Sequence, residues 1–429
     1  MIDTHGANII PWDENDNSFT SFRRLLAAPS SWRVRVLQRR RLEGQYKEPI
    51  MFSPFCPVDI RMLDRIQGLE AIESMLEGTN GLCVLASESM VTRLALHKFV
   101  QSLLNQHDGV WLKNIPANPS VVDVAEALKA LKGKKVNAII AIGGGSAMDL
   151  GKAIAAFHGY LDENHLTEES VLKAISEKSY IKPRDIPFLL AVPTTAGTGS
   201  EVTHWATVWN PMKKQKLSID WTALYPKAAV IIPAFTRSMG PELTLSTGLD
   251  ALSHAMEAFW AQSHTPLSQT LALDAIEKIR RFLPEAVKPE QSSDLALRRE
   301  MCLGALLAGL AFSITRTTAC HAISYPLTML FNLPHGFAAA MTLQSVMSRN
   351  ETVVKEIQNI RALFYADGGF SNWIHGLAEP IRPLRLHSFG IGHDDLKAIA
   401  DLSFTAGRMD NNPIAFDRQD VSLILEECL

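Results

Sequence analysis

One segment constrains the fold of this chain more than any other. The run 136–142 (Val-Asn-Ala-Ile-Ile-Ala-Ile) has the apolar, β-branched character of a buried strand, Gly143-Gly144-Gly145-Ser146 stops it, and helical spacing resumes over 147–157. A strand that passes through a glycine turn directly into a helix is half of a βαβ unit. Its neighbours repeat the theme. Residues 81–86 form a short apolar run, followed by the polar Ser87-Glu88-Ser89 and a helical pattern from Met90, and 121–131 has helical spacing. Residues 188–192 read as a further buried strand, ending in Pro193-Thr194-Thr195-Ala196-Gly197-Thr198-Gly199-Ser200. This alternation predicts a parallel sheet with helices on both faces.

The turn after Ile142 also carries chemistry. Its glycines let a ligand approach the backbone with no Cβ in the way, and the amides opening the next helix point at an anion. That suits a pyrophosphate, although a merely tight strand–helix turn would look the same. It is not a P-loop: five residues, not four, separate Gly145 from Gly151-Lys152, and Ala153 follows. It is not the usual dinucleotide fingerprint either, because Met148 stands where the third glycine belongs. The Thr/Gly loop 194–200 closes a second strand in the same sheet, at the end where ligands bind.

After about Gly240 the β-runs disappear. The spacing predicts a helix over 247–261 with Asp250 and His254 one turn apart on one face. His321 and His335 follow in apolar surroundings, where an unpartnered imidazole is costly. A capping or surface pair would explain Asp250 and His254, and a backbone carbonyl would satisfy a lone buried histidine. Together, one carboxylate and three histidines suit Fe²⁺ or Zn²⁺. Spacing alone does not show that they converge.

Composition narrows the function classes. A length of 429 residues suggests two or three domains, and 47% hydrophobic with 20% charged residues is ordinary for a globular protein. The net charge of −3 supplies no bulk positive field for nucleic acid. The longest apolar run, 302–314, is too short to span a bilayer and reads as a buried helix. Five cysteines without a Cys-x-x-Cys pair read as free thiols in a reducing compartment, which makes the cytoplasm the expected location. Residues 1–50 differ from the rest: arginines cluster in their second half, acidic residues in the first, and no period runs through them. We expect a poorly ordered or non-native extension, with Met51 as the true start. Lys47-Glu48 can be encoded AAG GAG, a ribosome-binding sequence two codons upstream. The remainder divides into 51–240, an α/β dinucleotide-binding domain, and 241–429, a helical metal-binding domain.

Four motifs then coincide in order and spacing. Gly143-Gly144-Gly145-Ser146…Asp149, the segment 193–203, Gly248-Leu249-Asp250-Ala251-Leu252-Ser253-His254-Ala255-Met256-Glu257, and His321 with Pro334-His335-Gly336 resemble the iron-dependent (group III) alcohol dehydrogenases. The resemblance runs from about Met51 to Leu429 and includes a typical tail, Arg408-Met409-Asp410-Asn411-Asn412-Pro413. It implies the fold shared with dehydroquinate synthase, an α/β nucleotide domain followed by an all-α metal domain, with the active site between them. It implies that Asp250, His254, His321 and His335 hold a divalent metal, usually iron, with zinc as the alternative. It implies that Gly144, Gly145, Ser146, Asp149, Thr194, Thr195, Thr198 and Lys216 lie along an NAD(P)H cofactor. Dimers are common in the family, so a homodimer is expected, with no nucleic-acid or membrane partner.

Within the family, 205–209, 315–318 and 321–328 look most like the phosphonoacetaldehyde reductases, which make 2-hydroxyethylphosphonate for phosphonate natural products. The competing readings are reduction of neutral small aldehydes, a metal- and NAD-dependent lyase on the related fold, and a metal- and nucleotide-binding protein without turnover. Two departures from the family stand out. Tyr325 occupies the position, four residues after the third ligand, where many members carry a proton-donating histidine. A relay through this phenol and a mere pocket wall are both open. Ser87 stands where NAD-preferring relatives often place Asp, so NADPH should serve at least as well as NADH. For an anionic substrate, Arg316 and Thr317, just before His321, are the candidate clamp; an interdomain ion pair is the alternative for Arg316.

Overall fold

A computed structural model describes residues 56–404 and 407–429. The expectations for 1–50 and for Met51 lie outside those residues.

The first half alternates as its sequence predicts. In chain order its elements are β1 (Asp59–Met62), α1 (Arg65–Leu76), β2 (Leu82–Leu85), α2 (Glu88–Arg93), α3 (His97–Gln106), β3 (Val110–Leu112), α4 (Val121–Ala130), β4 (Ala138–Gly143), α5 (Gly145–Phe157), α6 (Glu168–Glu177), β5 (Phe188–Pro193), β6 (Trp205–Asn210), β7 (Gln215–Asp220) and β8 (Ala228–Ile231). Six strands form one parallel sheet in the order β1-β8-β5-β4-β2-β3. Every residue of β2 and β4 is buried, as expected for strands covered on both faces. Ile139 and Leu189 face one apolar cluster with α4, α5 and α6, while Ile140 and Leu190 face the other with α1 and α3. The connection after β2 runs outward to β3 and the one after β4 runs back to β5, so the chain reverses direction between these two neighbours. That is the topological switch point, where a crevice opens at the carboxyl ends of the strands.

The antiparallel hairpin of β6 and β7 was not anticipated. The sequence hides it. Its turn, Pro211-Met212-Lys213-Lys214, holds no glycine, and Lys214 itself takes the positive φ of 47°.

Among the described residues no strand follows β8. The helices are α7 (Pro241–Trp260), α8 (Pro266–Ala286), α9 (Leu295–Thr315), α10 (Ala319–Phe331), α11 (His335–Met341), α12 (Leu343–Asn350), α13 (Ile357–Leu363), α14 (Phe370–Ala378), α15 (His393–Leu402) and α16 (Arg418–Glu426). Helix α7 starts six residues before the expected 247, because Gly240 caps it and Pro241 takes the first position. It is buried almost all round, against α8, α9 and α11. A Cβ on Gly248 would lie 2.5 Å from Leu283, so this glycine sets how closely α7 and α8 approach. The apolar run 302–314 falls inside α9, in the core. No single described helix is long and apolar enough to cross a membrane. All five cysteines are free thiols.

Candidate active site

Helix α7 carries Asp250 and His254 on one face, His321 lies in the first turn of α10, and His335 opens α11. The three imidazoles converge on one carboxylate oxygen. From Asp250 Oδ1, the Nε2 atoms of His321, His335 and His254 stand at 3.5, 3.8 and 3.9 Å. Those spacings are long for hydrogen bonds. Two ligands bound tetrahedrally at ~2.1 Å from one ion lie ~3.4 Å apart, close to what is seen. Asp250, His321 and His335 keep their ligand atoms within 4.8 Å of one another. His254 joins from the side, its ring stacked between His321 at 4.5 Å and Phe312 at 4.1 Å. Asp250 Oδ1 and His321 Nε2 are buried without a hydrogen-bond partner. A buried carboxylate oxygen and imidazole nitrogen left unpaired in this way fit a divalent metal as their missing partner.

Glu257 builds the frame behind them. Its side chain is fully buried on α7, one turn past His254. Oε1 accepts from the N–H groups of Thr318, Cys320 and His321 at 3.0, 2.8 and 3.2 Å, and from the Thr318 hydroxyl at 2.8 Å. Oε2 takes the His321 Nδ1 proton. One carboxylate thus satisfies the amides that open α10 and fixes the tautomer that leaves Nε2 free to coordinate. Burial pushes down the pKa of His254, to about 4, and of His335, to about 3, against the pull of Asp250. Burial also opposes charging of His321, but Glu257 and Asp250 outweigh it and raise that imidazole to about 10, so a metal bound at Nε2 would displace a proton there. Burial would raise Asp250, yet the surrounding imidazoles keep it well below the usual carboxylate range.

The other wall comes from the sheet. Helix α5 begins at Gly145 with no side-chain cap. A Cβ on Gly145 would meet Thr198 at 2.8 Å, closer than such atoms come, and one on Gly144 would press on Thr195 at 3.3 Å, so the glycines keep this turn uncrowded. Asp149 holds the second loop in place, accepting from Ser200 Oγ at 2.7 Å and the Thr207 amide at 2.9 Å. Lys152 is the strut below. Fully buried, it donates to Ser200 O and Oγ, Thr203 Oγ1 and Trp205 O at 2.6–3.2 Å. Burial lowers its pKa to about 8, with Asp149 and Glu201 resisting. The lysine that fails the P-loop spacing is therefore an internal tie of the segment 200–205.

Both walls line one cleft of about 220 Å³. Gly145, Ser146, Asp149, Thr198, Lys216, Asp250, His254, Thr317, His321, Tyr325 and His335 face it. Gly144, Thr194 and Thr195 stand directly behind, at the ends of β4 and β5. Ser87 follows β2 and caps α2, accepting from the Met90 amide at 3.3 Å; it does not line the cleft. Burial raises the Tyr325 phenol, but the charges of Lys216 and Arg408 outweigh it and bring the pKa to about 7.

Two family models match the chain, one described as iron-containing alcohol dehydrogenase over residues 65–233 and one as the C-terminal part of the Fe-containing alcohol dehydrogenase family over 244–429. A choline dehydrogenase of Bacillus subtilis is 30% identical over 332 residues, 74% of this chain and 80% of the relative. The chain belongs to the iron-containing alcohol dehydrogenase family. A probable alcohol dehydrogenase, EutG, of Salmonella typhimurium is 38% identical over 241 residues, 56% of this chain and 58% of its own. A phosphonoacetaldehyde reductase of Streptomyces viridochromogenes is 35% identical over 258 residues, 58% of this chain and 60% of its own. These last two matches thus span under two thirds of the relatives' length. Among solved structures, a sulfoacetaldehyde reductase from Bifidobacterium kashiwanohense in complex with NAD+ has a TM-score of 0.77 at 26% identity, covering 89% of this chain and 99% of that one.

Against this family background, Arg316 departs from its expected place. Its guanidinium is committed to Asp220 at 2.6 Å and does not face the cleft, so the ion-pair alternative describes it. The cation that does face the cleft, besides Lys216, is Arg408, from the tail segment that the family resemblance includes without giving it a role. Sequence reasoning also assigned nothing to Glu257, although it sits inside the quoted metal motif. Its signal was there: an acid one turn beyond His254 on a wholly buried helix face needs a partner.

Proposed function

We propose that this chain reduces a small anionic aldehyde to a primary alcohol with a divalent metal, Fe²⁺ or Zn²⁺, and NAD(P)H, and that the aldehyde is phosphonoacetaldehyde. The observation that carries the reading is the shared cleft: unpaired Asp250 Oδ1 and His321 Nε2 face the uncapped amides of Gly145 and Ser146. When bound, the metal would supply Lewis acidity toward the aldehyde oxygen and the nicotinamide would supply hydride. The chain's own part is alignment. The glycine turn and the N-terminus of α5 take the pyrophosphate, and Thr195 and Thr198 wall the cofactor. Phe312, stacked on His254, gives the cleft an apolar wall beside the metal ligands. Tyr325 presents a phenol proton to the cleft, with Lys216 Nζ 3.7 Å from its ring centre.

The phosphonate specificity rests on the motif resemblance and on the relative named a phosphonoacetaldehyde reductase. A place in phosphonate natural-product biosynthesis, a cytoplasmic location and a homodimer belong to the same reading. The test is oxidation of NADPH or NADH followed with phosphonoacetaldehyde and with propanal, on protein loaded with Fe²⁺ or Zn²⁺ and on chelated protein. Metal-dependent turnover with kcat/KM at least tenfold higher for the phosphonate is expected. Preference for propanal would move the chain to the neutral-aldehyde reading, and no oxidation with either would remove the reductase.

A further inference from the structure

We propose that Arg408, together with the Thr317 hydroxyl that lines the same cleft, is the receptor for the anionic end of the substrate, with Lys216 adding positive charge to that cleft. The inference rests on the aldehyde-reductase reading and adds to it the residues that select charge. Arg408 is 8% exposed and lines the cleft. Its guanidinium has no carboxylate partner among the described residues; its one hydrogen bond runs to the neighbouring Gly407 carbonyl at 2.8 Å. A largely buried guanidinium without a counter-ion is expensive to keep. The carboxylate that could have neutralised this corner, Asp220, is spent on Arg316 and His204 at 2.6 and 3.0 Å. A second group is left waiting in the same cleft: Thr317 Oγ1 is buried without a partner, on a residue 4% exposed that also lines it.

The placement relative to the metal ligands is that of a bifunctional substrate. On one wall, Phe312 stacks on His254 at 4.1 Å, Trp205 follows at 5.6 Å, and Arg408 lies 5.9 Å from the Trp205 ring. On the other, Tyr325 parallels His335 at 6.1 Å and Lys216 lies against Tyr325. Each cation is separated from the ligand cluster by aromatic surface. The ligand cluster and the two cations thus line one cleft, which lets a substrate with an aldehyde at one end and a tetrahedral oxyanion at the other engage both. A guanidinium fork and a hydroxyl donor match the several oxygens of a phosphonate or sulfonate better than they match an uncharged chain.

Arg408→Ala and Arg408→Lys, assayed on phosphonoacetaldehyde, sulfoacetaldehyde and propanal, test this. The loss in kcat/KM on the anionic aldehydes should exceed the loss on propanal by about 100-fold for Ala, mostly in KM, with partial recovery for Lys. The KM for NADPH, read on propanal, should move far less than the KM for phosphonoacetaldehyde. Equal losses on all three aldehydes, or a loss confined to the cofactor KM, would overturn the receptor. Phosphonoacetate, which cannot be reduced, provides a second measurement on the unmodified protein. It should inhibit propanal reduction competitively with the aldehyde, and absence of inhibition counts against the proposal. If the unmodified protein reduces none of these aldehydes, the reductase reading fails; if it reduces propanal but no anionic aldehyde, the phosphonate reading and the receptor fail together; if it reduces the anionic aldehydes and Arg408→Ala does so equally well, the receptor alone fails.

Discussion

At the scale of single residues, Glu257 has the most to lose. It serves four donors from the start of α10 together with the His321 ring, all of them buried. Glu257→Gln keeps the volume but offers one acceptor oxygen and an unwanted pair of donors, one of them aimed at a group that must itself donate. Metal affinity should fall about 10- to 100-fold. Competition against a metal-sensitive dye reads this without any turnover. An unchanged affinity would reduce Glu257 to a helix cap. How legible was the site at this scale? Asp250, His254, His321 and His335 stand out in the sequence because coordination demands particular residue types, and types are visible there; that their side chains gather round one carboxylate oxygen is visible only in the structure. Arg316 misled because the choice between two arginines depends on where Asp220 lies, 96 positions away. Arg408 was passed over for the converse reason: what marks it is the absence of a partner, and only coordinates reveal that.

Among the elements, the parallel strands announced themselves through uninterrupted apolar runs. The β6–β7 hairpin did not, since half its residues are polar and its turn lacks the expected glycine. The hairpin nevertheless anchors the helical half. Asp220, the last residue of β7, accepts from His204 and from Arg316 at the end of α9. The His204 hydrogen bond first, then the Arg316 charge, hold its carboxyl far below the ordinary range. A carboxylate depressed in the folded state stabilises the fold above its unfolded pKa of about 3.9 and loses that contribution as pH falls toward the lower folded value. Asp220→Asn should therefore cost about 1–3 kcal/mol at pH 7. The gap to the parent protein should narrow once the pH drops below about 4. Urea melts at pH 7, 5, 4 and 3 check the sign; a gap that widens in acid would refute it. The glycines mark a second contact between the halves. Gly199, with a φ of +61°, and Gly309 on α9 touch backbone to backbone, and a Cβ on Gly199 would fall 2.6 Å from Gly309 Cα. Side chains there would push the cofactor loop off α9.

For the molecule as a whole, the switch-point crevice dictates which cofactor the cleft accepts. Ser87 stands at the end of β2, one strand from the glycine turn, where a carboxylate would repel a 2′-phosphate. NADPH should be used at least as well as NADH. Asp caps a helix as well as Ser does, so Ser87→Asp preserves α2 while adding the charge. It should shift the NADPH/NADH ratio of kcat/KM toward NADH by about tenfold or more. An unchanged ratio would remove Ser87 from the cofactor site. The net charge of −3 belongs to this scale too. It repels no small anion decisively, because the field that matters inside a narrow cleft is set locally by Lys216, Arg408 and the ion.

Helices α9 and α10 meet at 108° through a link of three residues. On its amide side, Glu257 takes the N–H groups. On its carbonyl side, Ser263 and Asn411 donate to Thr315 O at 2.8 Å each, and Asn411 to Thr317 O at 3.0 Å. The frame that presents His321 is thus fastened from both directions by the chain itself. Such a socket should hold its shape without its ion, unlike a zinc finger. Chelation should lower the urea midpoint, because the ion binds only the folded chain, yet leave the far-UV circular dichroism unchanged. The metal that a given preparation carries would then be a record of supply and handling.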